Sequence, residues 1–311
     1  MPPPQPLDPE LAPTIEELPP VQLDEAALPA LRDRQRRVAA VPVSDAVVRT
    51  DHTVDGDVAV PVRVHRPAGV DGSRPCVVSM HGGGLVVGTH LTDDALFDRW
   101  CPALGVVGVS VDYRLAPEHP YPAALDDADA ALAWTHANAD VLGVDRTCIG
   151  VRGLSAGGGI AAALALRARD RGGPAISFQL LDAPMLDDRQ LTPSSRQDDL
   201  AVWTRESNAF GWRSYLGDLY GAESVPHTAA AARATDLSGL PPAFVSVGSV
   251  DGFRDEAIDY AVRLNQAGVP CELHVYAGAP HGYHLAGDTQ LLRRAREDMA
   301  VWLARTIGSR L

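Results

Sequence analysis

Lysine is missing from this 311-residue chain, whose 27 basic residues are all arginine. That absence removes any lysine nucleophile or Schiff-base chemistry. An excess of positive charge is missing as well. Forty acids against 27 bases leave a net charge of −13, which argues against a nucleic-acid footprint or an anchor on anionic membrane. Cysteines are few (Cys76, Cys101, Cys148 and Cys271), with no Cys-x-x-Cys spacing and no positive evidence for a disulfide. Three of them lie in or beside apolar runs, which suits small buried residues in a reducing compartment. No apolar stretch approaches transmembrane length. Met1 to Glu10 is proline-rich and acidic, without the basic and apolar regions of a secretory leader. A cytoplasmic location is therefore expected. There is no internal repeat. What remains, 46% hydrophobic and 22% charged residues, reads as an ordinary globular chain.

The most informative segment present is Gly153-Leu154-Ser155-Ala156-Gly157, between an apolar run, Thr147 to Val151, and an alanine-rich helical stretch. Gly-x-Ser-x-Gly at a strand-to-helix junction is the pattern of a nucleophile elbow. The serine occupies a tight strained turn, and the glycines let strand and helix approach without a Cβ clash. The following helix points its N-terminus, with free N–H groups and partial positive charge, at the serine. A second segment, His81-Gly82-Gly83-Gly84, follows the buried-strand pattern Pro75 to Met80. Three glycines after a strand leave backbone N–H groups uncovered for a developing oxyanion. No Lys-Ser/Thr follows them, so a P-loop is excluded.

A serine nucleophile needs a base, and the base an orienting acid, in the chain order Ser, Asp/Glu, His. Asp251 follows the strand-like run Ala243 to Val247, and His281 follows Glu272 to Tyr276. Both therefore fall beyond carboxyl ends of strands, where open α/β sheets gather functional groups. Asp255 and Glu256 open the next helix, where helix capping is their expected role. Asp236 precedes its strand, His284 lies further from the strand end than His281, and His227 sits in an insertion.

These blocks, with Asp112-Tyr113-Arg114-Leu115-Ala116-Pro117-Glu118, make the chain resemble the hormone-sensitive-lipase-like α/β-hydrolases, the bacterial family IV esterases. The likeness runs over roughly residues 60 to 285. It implies Ser155 as nucleophile, His281 as general base and then acid, and Asp251 as the orienting acid. It also implies an oxyanion hole from the N–H groups of Gly82, Gly83 and Ala156. The chain departs from the family pattern at Leu154, where Asp or Thr is common, at Leu85, usually aromatic, and at Gly159, often Asn. None of these removes a catalytic group; they bear on the shape of the pocket.

Strand-like and helical runs alternate through the chain, as expected for a mostly parallel sheet covered by helices on both faces. Strands are expected near 58–64, 76–80, 106–111, 147–151, 176–181, 243–247 and 272–276. Helices are expected near 123–137, 156–169, 255–266 and 289–306. Two segments break the rhythm. Residues 1–43 hold an amphipathic helix over 24–39. Residues from about 186 to 234 hold Trp203, Phe210, Trp212, Tyr215 and Tyr220, five aromatics within 18 residues of a chain that is 5% aromatic. In the resembling family two such segments pack together as a cap. The expected architecture is thus an α/β-hydrolase domain, residues 44–311, with a helical cap from residues 1–43 and the insertion. Arg114 is placed to pair with a nearby acid and steady its loop.

The expected activity is serine carboxylesterase action on short- to medium-chain esters through an acyl-enzyme. Alternatives are the same machinery on an amide, lactone or carbamate, and a non-catalytic small-molecule receptor on this scaffold. Such receptors lack the histidine, which is present here. Leu85, Leu154, Trp203 and Tyr215 are candidates for the substrate pocket. No metal or organic cofactor is expected. The expected partner is a small ester, with no nucleic acid and no membrane anchor, and a homo-oligomer is left open.

Overall fold

The computed structural model describes residues 5–18, 23–39 and 44–309. Parts of the expected cap segment (1–4, 19–22 and 40–43) therefore lie outside the described residues. Eight strands form one sheet: β1 (Val47–Val54), β2 (Val60–Pro67), β3 (Arg74–Met80), β4 (Val107–Val111), β5 (Val144–Leu154), β6 (Gln179–Asp182), β7 (Ala243–Val250) and β8 (Cys271–Pro280). Their order is β1-β2-β4-β3-β5-β6-β7-β8. β1, β2 and β4 pair antiparallel, and every pairing from β4 to β8 is parallel.

The helices are α1 (Ala12–Glu17), α2 (Leu28–Ala39), α3 (Asp94–Leu104), α4 (Ala123–Ala137), α5 (Ala139–Leu142), α6 (Ala156–Arg171), α7 (Arg205–Leu216), α8 (Arg254–Gln266) and α9 (Gln290–Thr306). The central strands are largely apolar because helices cover both of their faces, with Ser79, Ser110 and Arg152 buried among the aliphatic residues. β3 and β4 bury Val77, Val78, Val107 and Val109 completely. α6 and α4 belong to the larger core, and α3 and α9 pack with Phe178 and Phe244 on the other.

Several elements escape the sequence expectations, the short helices α1 and α5 with β1 and α3 among them. β1 buries only its end residues among polar ones, as an edge strand does. α3 carries Pro102, yet Phe97, Trp100, Cys101 and Leu104 recur at helical spacing on its buried face. In the N-terminal segment α2 starts at Leu28, not at residue 24. Asp24 instead closes the preceding turn by accepting the Ala27 N–H at 2.8 Å. Leu11 and Ile15, in and beside α1, pack with Tyr276, Tyr283 and Leu292, and Ala201 and Val202 of the insertion join them. The Arg114 guanidinium pairs with Asp127 on α4 at 2.7 Å. No helix among the described residues is long and apolar enough to cross a membrane.

Candidate active site

Ser155 stands between the end of β5 and the start of α6, with φ 56° and ψ −118°. The turn is that tight because both flanking glycines are in backbone contact. A Cβ on Gly153 would lie 2.0 Å from the Gly157 carbonyl oxygen, and one on Gly157 would lie 2.1 Å from that of Met80. Gly159 is equally constrained, since a Cβ there would come within 2.2 Å of the Met185 carbonyl oxygen. The Ser155 N–H donates to the Asp182 carbonyl at 2.8 Å, tying the turn to the end of β6.

Asp251 lies immediately after β7 and His281 immediately after β8. The parallel sheet brings both to the carboxyl edge beside Ser155. His281 Nε2 is 3.0 Å from Ser155 Oγ, and its Nδ1 is 2.8 Å from Asp251 Oδ2. The other Asp251 oxygen accepts the Phe253 N–H at 2.9 Å. All three residues are buried, Asp251 to 1% exposure. The imidazole lies between Phe253, 5.0 Å away and edge-on, and Trp203, 6.3 Å away. An imidazole between a serine hydroxyl and a buried carboxylate can take the hydroxyl proton while the carboxylate holds its ring orientation.

The glycine loop after β3 lies over the same serine. A Cβ on Gly82 would sit 3.5 Å from Ser155 Cβ. Three successive residues have positive φ, Gly83 (127°), Gly84 (60°) and Leu85 (68°). Among the described residues no acceptor takes the N–H of Gly82, Gly83 or Ala156. Three unpaired donors beside a serine hydroxyl make a ready anion site. His81 is buried, and that burial lowers its pKa. It stacks on Tyr113 at 4.1 Å and bonds the Gly82 carbonyl through Nδ1 at 2.8 Å.

Residues 77–285 match the family described as the alpha/beta hydrolase fold. The chain belongs to the α/β-hydrolases. Within them it falls in the hormone-sensitive-lipase-like group of bacterial family IV esterases. It is 37% identical over 281 residues to a Mycobacterium tuberculosis protein named esterase LipI, covering 89% of this chain and 88% of that one. It is 43% identical over 232 residues to carboxylesterase NlhH of the same organism, covering 74% and 72%. Among solved structures, a bacterial heroin esterase superposes with a TM-score of 0.91 at 38% identity, covering 97% of this chain and 98% of that one. The esterase LipW from Mycobacterium marinum gives a TM-score of 0.88 at 36% identity, covering 97% and 98%.

For this hydrolase the structure also places the four residues expected to line a pocket. Trp203 lies against the glycine loop: a Cβ on Gly84 would come within 2.1 Å of its ring. Leu154 reaches towards Gly82, 3.5 Å from where a Cβ there would be. Leu85 is buried in the main core. Tyr215 packs against Tyr121 and Trp212.

Asp255 and Glu256 differ from expectation, since neither side chain caps α8. Each reaches across to the insertion. Glu256 Oε1 accepts the N–H groups of Leu186 (2.7 Å) and Asp187 (3.1 Å), and Asp255 accepts that of Ser194 at 2.8 Å. Sequence reasoning also missed Arg32 of α2, which bonds the Val86 carbonyl of the glycine loop.

Proposed function

We propose that this carboxylic ester hydrolase cleaves short- to medium-chain esters with Ser155 as nucleophile, His281 as base and Asp251 as orienting acid. The observation that carries this reading is the unbroken chain of contacts Ser155–His281–Asp251, at 3.0 and 2.8 Å. In the first half-reaction Ser155 Oγ attacks the ester carbonyl as His281 Nε2 takes its proton. The N–H groups of Gly82, Gly83 and Ala156 stabilise the tetrahedral oxyanion. His281 then returns the proton to the leaving alkoxide. In the second half-reaction the histidine activates water, which cleaves the acyl-enzyme and frees the acid. Residues 1–43 and the insertion of about 186–234 form the cap, with Trp203, Leu154 and Leu85 limiting the acyl pocket. Tyr215 supports the cap from within.

Ser155→Ala tests the assignment. The purified variant is expected to lose on the order of 10⁴–10⁶ in kcat on a p-nitrophenyl ester. Retention of a tenth of the activity would sink it. Acyl-chain profiling tests the pocket. Each buried methylene contributes about 0.8 kcal/mol until the space is full, after which overpacking costs binding. kcat/KM is expected to peak at about four to six carbons and to drop by about twelve. A steady rise to long chains would remove the apolar lid from the account.

A further inference from the structure

We propose that Arg32 is a positioning residue for the glycine loop, through which the N-terminal segment sets the rate of the chemical step. The inference rests on the assignment of Ser155 and the Gly82 and Gly83 N–H groups above.

One guanidinium closes three contacts. Its Nε donates to the Val86 carbonyl at 2.8 Å, and Nη2 donates to the Ala116 carbonyl at 2.9 Å. Nη1 and Nη2 grip both carboxylate oxygens of Glu118 at 2.7 and 2.8 Å. The Ala116 N–H donates in turn to the Leu85 carbonyl at 2.9 Å. Arg32 thus staples α2 to two loops that are already joined to each other.

The glycine loop needs such a staple. Gly83 and Gly84 adopt positive φ at little cost, but Leu85, at 68°, does not. A side chain in that region costs roughly 1–3 kcal/mol and persists only when its surroundings hold it. Within the loop the Val86 and Val87 N–H groups close on the Gly83 carbonyl at 3.1 and 3.0 Å, and from outside it the Ala116 N–H holds Leu85 and Arg32 holds Val86. Gly82 and Gly83, whose N–H groups face the oxyanion, lie immediately upstream. Releasing Val86 lets the strained turn relax and swings those donors off the developing charge. Displacements of about 1 Å in such a site cost about 10²-fold. Only arginine has the planar fork to serve two carbonyls and a carboxylate together; lysine reaches fewer acceptors.

The test compares Arg32→Met, Arg32→Lys, Arg32→Ala and Glu118→Gln with the full-length protein, using p-nitrophenyl butyrate and a trifluoromethyl ketone that forms the tetrahedral adduct. Arg32→Met and Arg32→Lys are expected to lower kcat about 10- to 100-fold, with KM changed less than about threefold. Affinity for the trifluoromethyl ketone should fall in parallel. Glu118→Gln, which keeps an acceptor at a half-exposed site, is expected to stay within about threefold. Millimolar propylguanidinium should restore part of the rate of Arg32→Ala, which loss of folding would not allow. Unchanged kcat in Arg32→Met, or a loss confined to KM with unaltered trifluoromethyl ketone affinity, overturns the proposal. Ser155→Ala, assayed alongside, separates the two readings. Activity surviving there overturns both, whereas activity lost there but kept in Arg32→Met overturns only the role of Arg32.

Discussion

Ser155 is held with φ 56° by contacts that leave no room for anything larger than glycine at positions 153 and 157. The strain is offset by the bond from its N–H to Asp182 and by the start of α6 behind it. At this scale Asp251 and Asp255, four residues apart, differ sharply. Asp251 is bonded to His281, whereas Asp255 holds Ser194 of the insertion and pairs with Arg254 at 2.8 Å. Asp251→Asn should therefore lower kcat by about 10⁴, the size of effect seen when a triad histidine loses its orienting acid. Asp255→Asn keeps an acceptor for Ser194 and should stay within about threefold in kcat. Steady-state kinetics on both variants checks this; the reverse ranking would show that the wrong carboxylate had been chosen. These residues are legible in the sequence because each stands in a short local motif at a strand end. Arg32 has no such signal. It is one arginine among 27, and its partners lie 54 to 86 residues away.

At the scale of elements, the first turn of α8 and the insertion are joined by buried bonds. Glu256 is 3% exposed, and burial raises its pKa well above the ordinary carboxyl value, with the charges of Asp187 and Asp251 adding to the rise. The two N–H groups it accepts oppose that rise without cancelling it. The folded protein thus keeps this carboxyl protonated at pH values where the unfolded chain ionises it. As pH climbs above about 4.5, the unfolded state gains from ionisation and stability falls, by about 1.4 kcal/mol per pH unit until the folded carboxyl ionises too. Glu256→Gln cannot ionise in either state. Its stability relative to wild type should rise between pH 5 and pH 7, as read by urea unfolding at each pH. A constant difference would show that Glu256 is charged in the fold. Glu256→Ala strands two buried N–H groups and should cost about 2–4 kcal/mol relative to Glu256→Gln at any pH in that range. The helical start read at Asp255 and Glu256 is sound, but their capping role is not. A first-turn acid and an acid bonding a distant loop look alike in sequence.

Over the whole molecule, the N-terminal segment is bound to the hydrolase core by apolar burial as well as by Arg32. Leu11, Ile15 and Leu28 are no more than 3% exposed. Burying three such side chains contributes on the order of 5 kcal/mol. Deleting residues 1–43 should therefore lower the calorimetric Tm as well as change acyl selectivity; an unchanged Tm would mean that these contacts add nothing. The sequence by itself determined the α/β alternation, most of the strands and the order of the serine, acid and histidine motifs. Hydrophobic period, turn glycines and strand-end placement are all local properties of the chain. Tertiary structure alone decided that β1 pairs as an edge strand and that α3 forms around Pro102. It also decided that Glu256 and Arg32 reach across to the two loops flanking the site. Those outcomes depend on which distant carbonyl, N–H group or apolar face is brought within contact distance, and no local pattern records that.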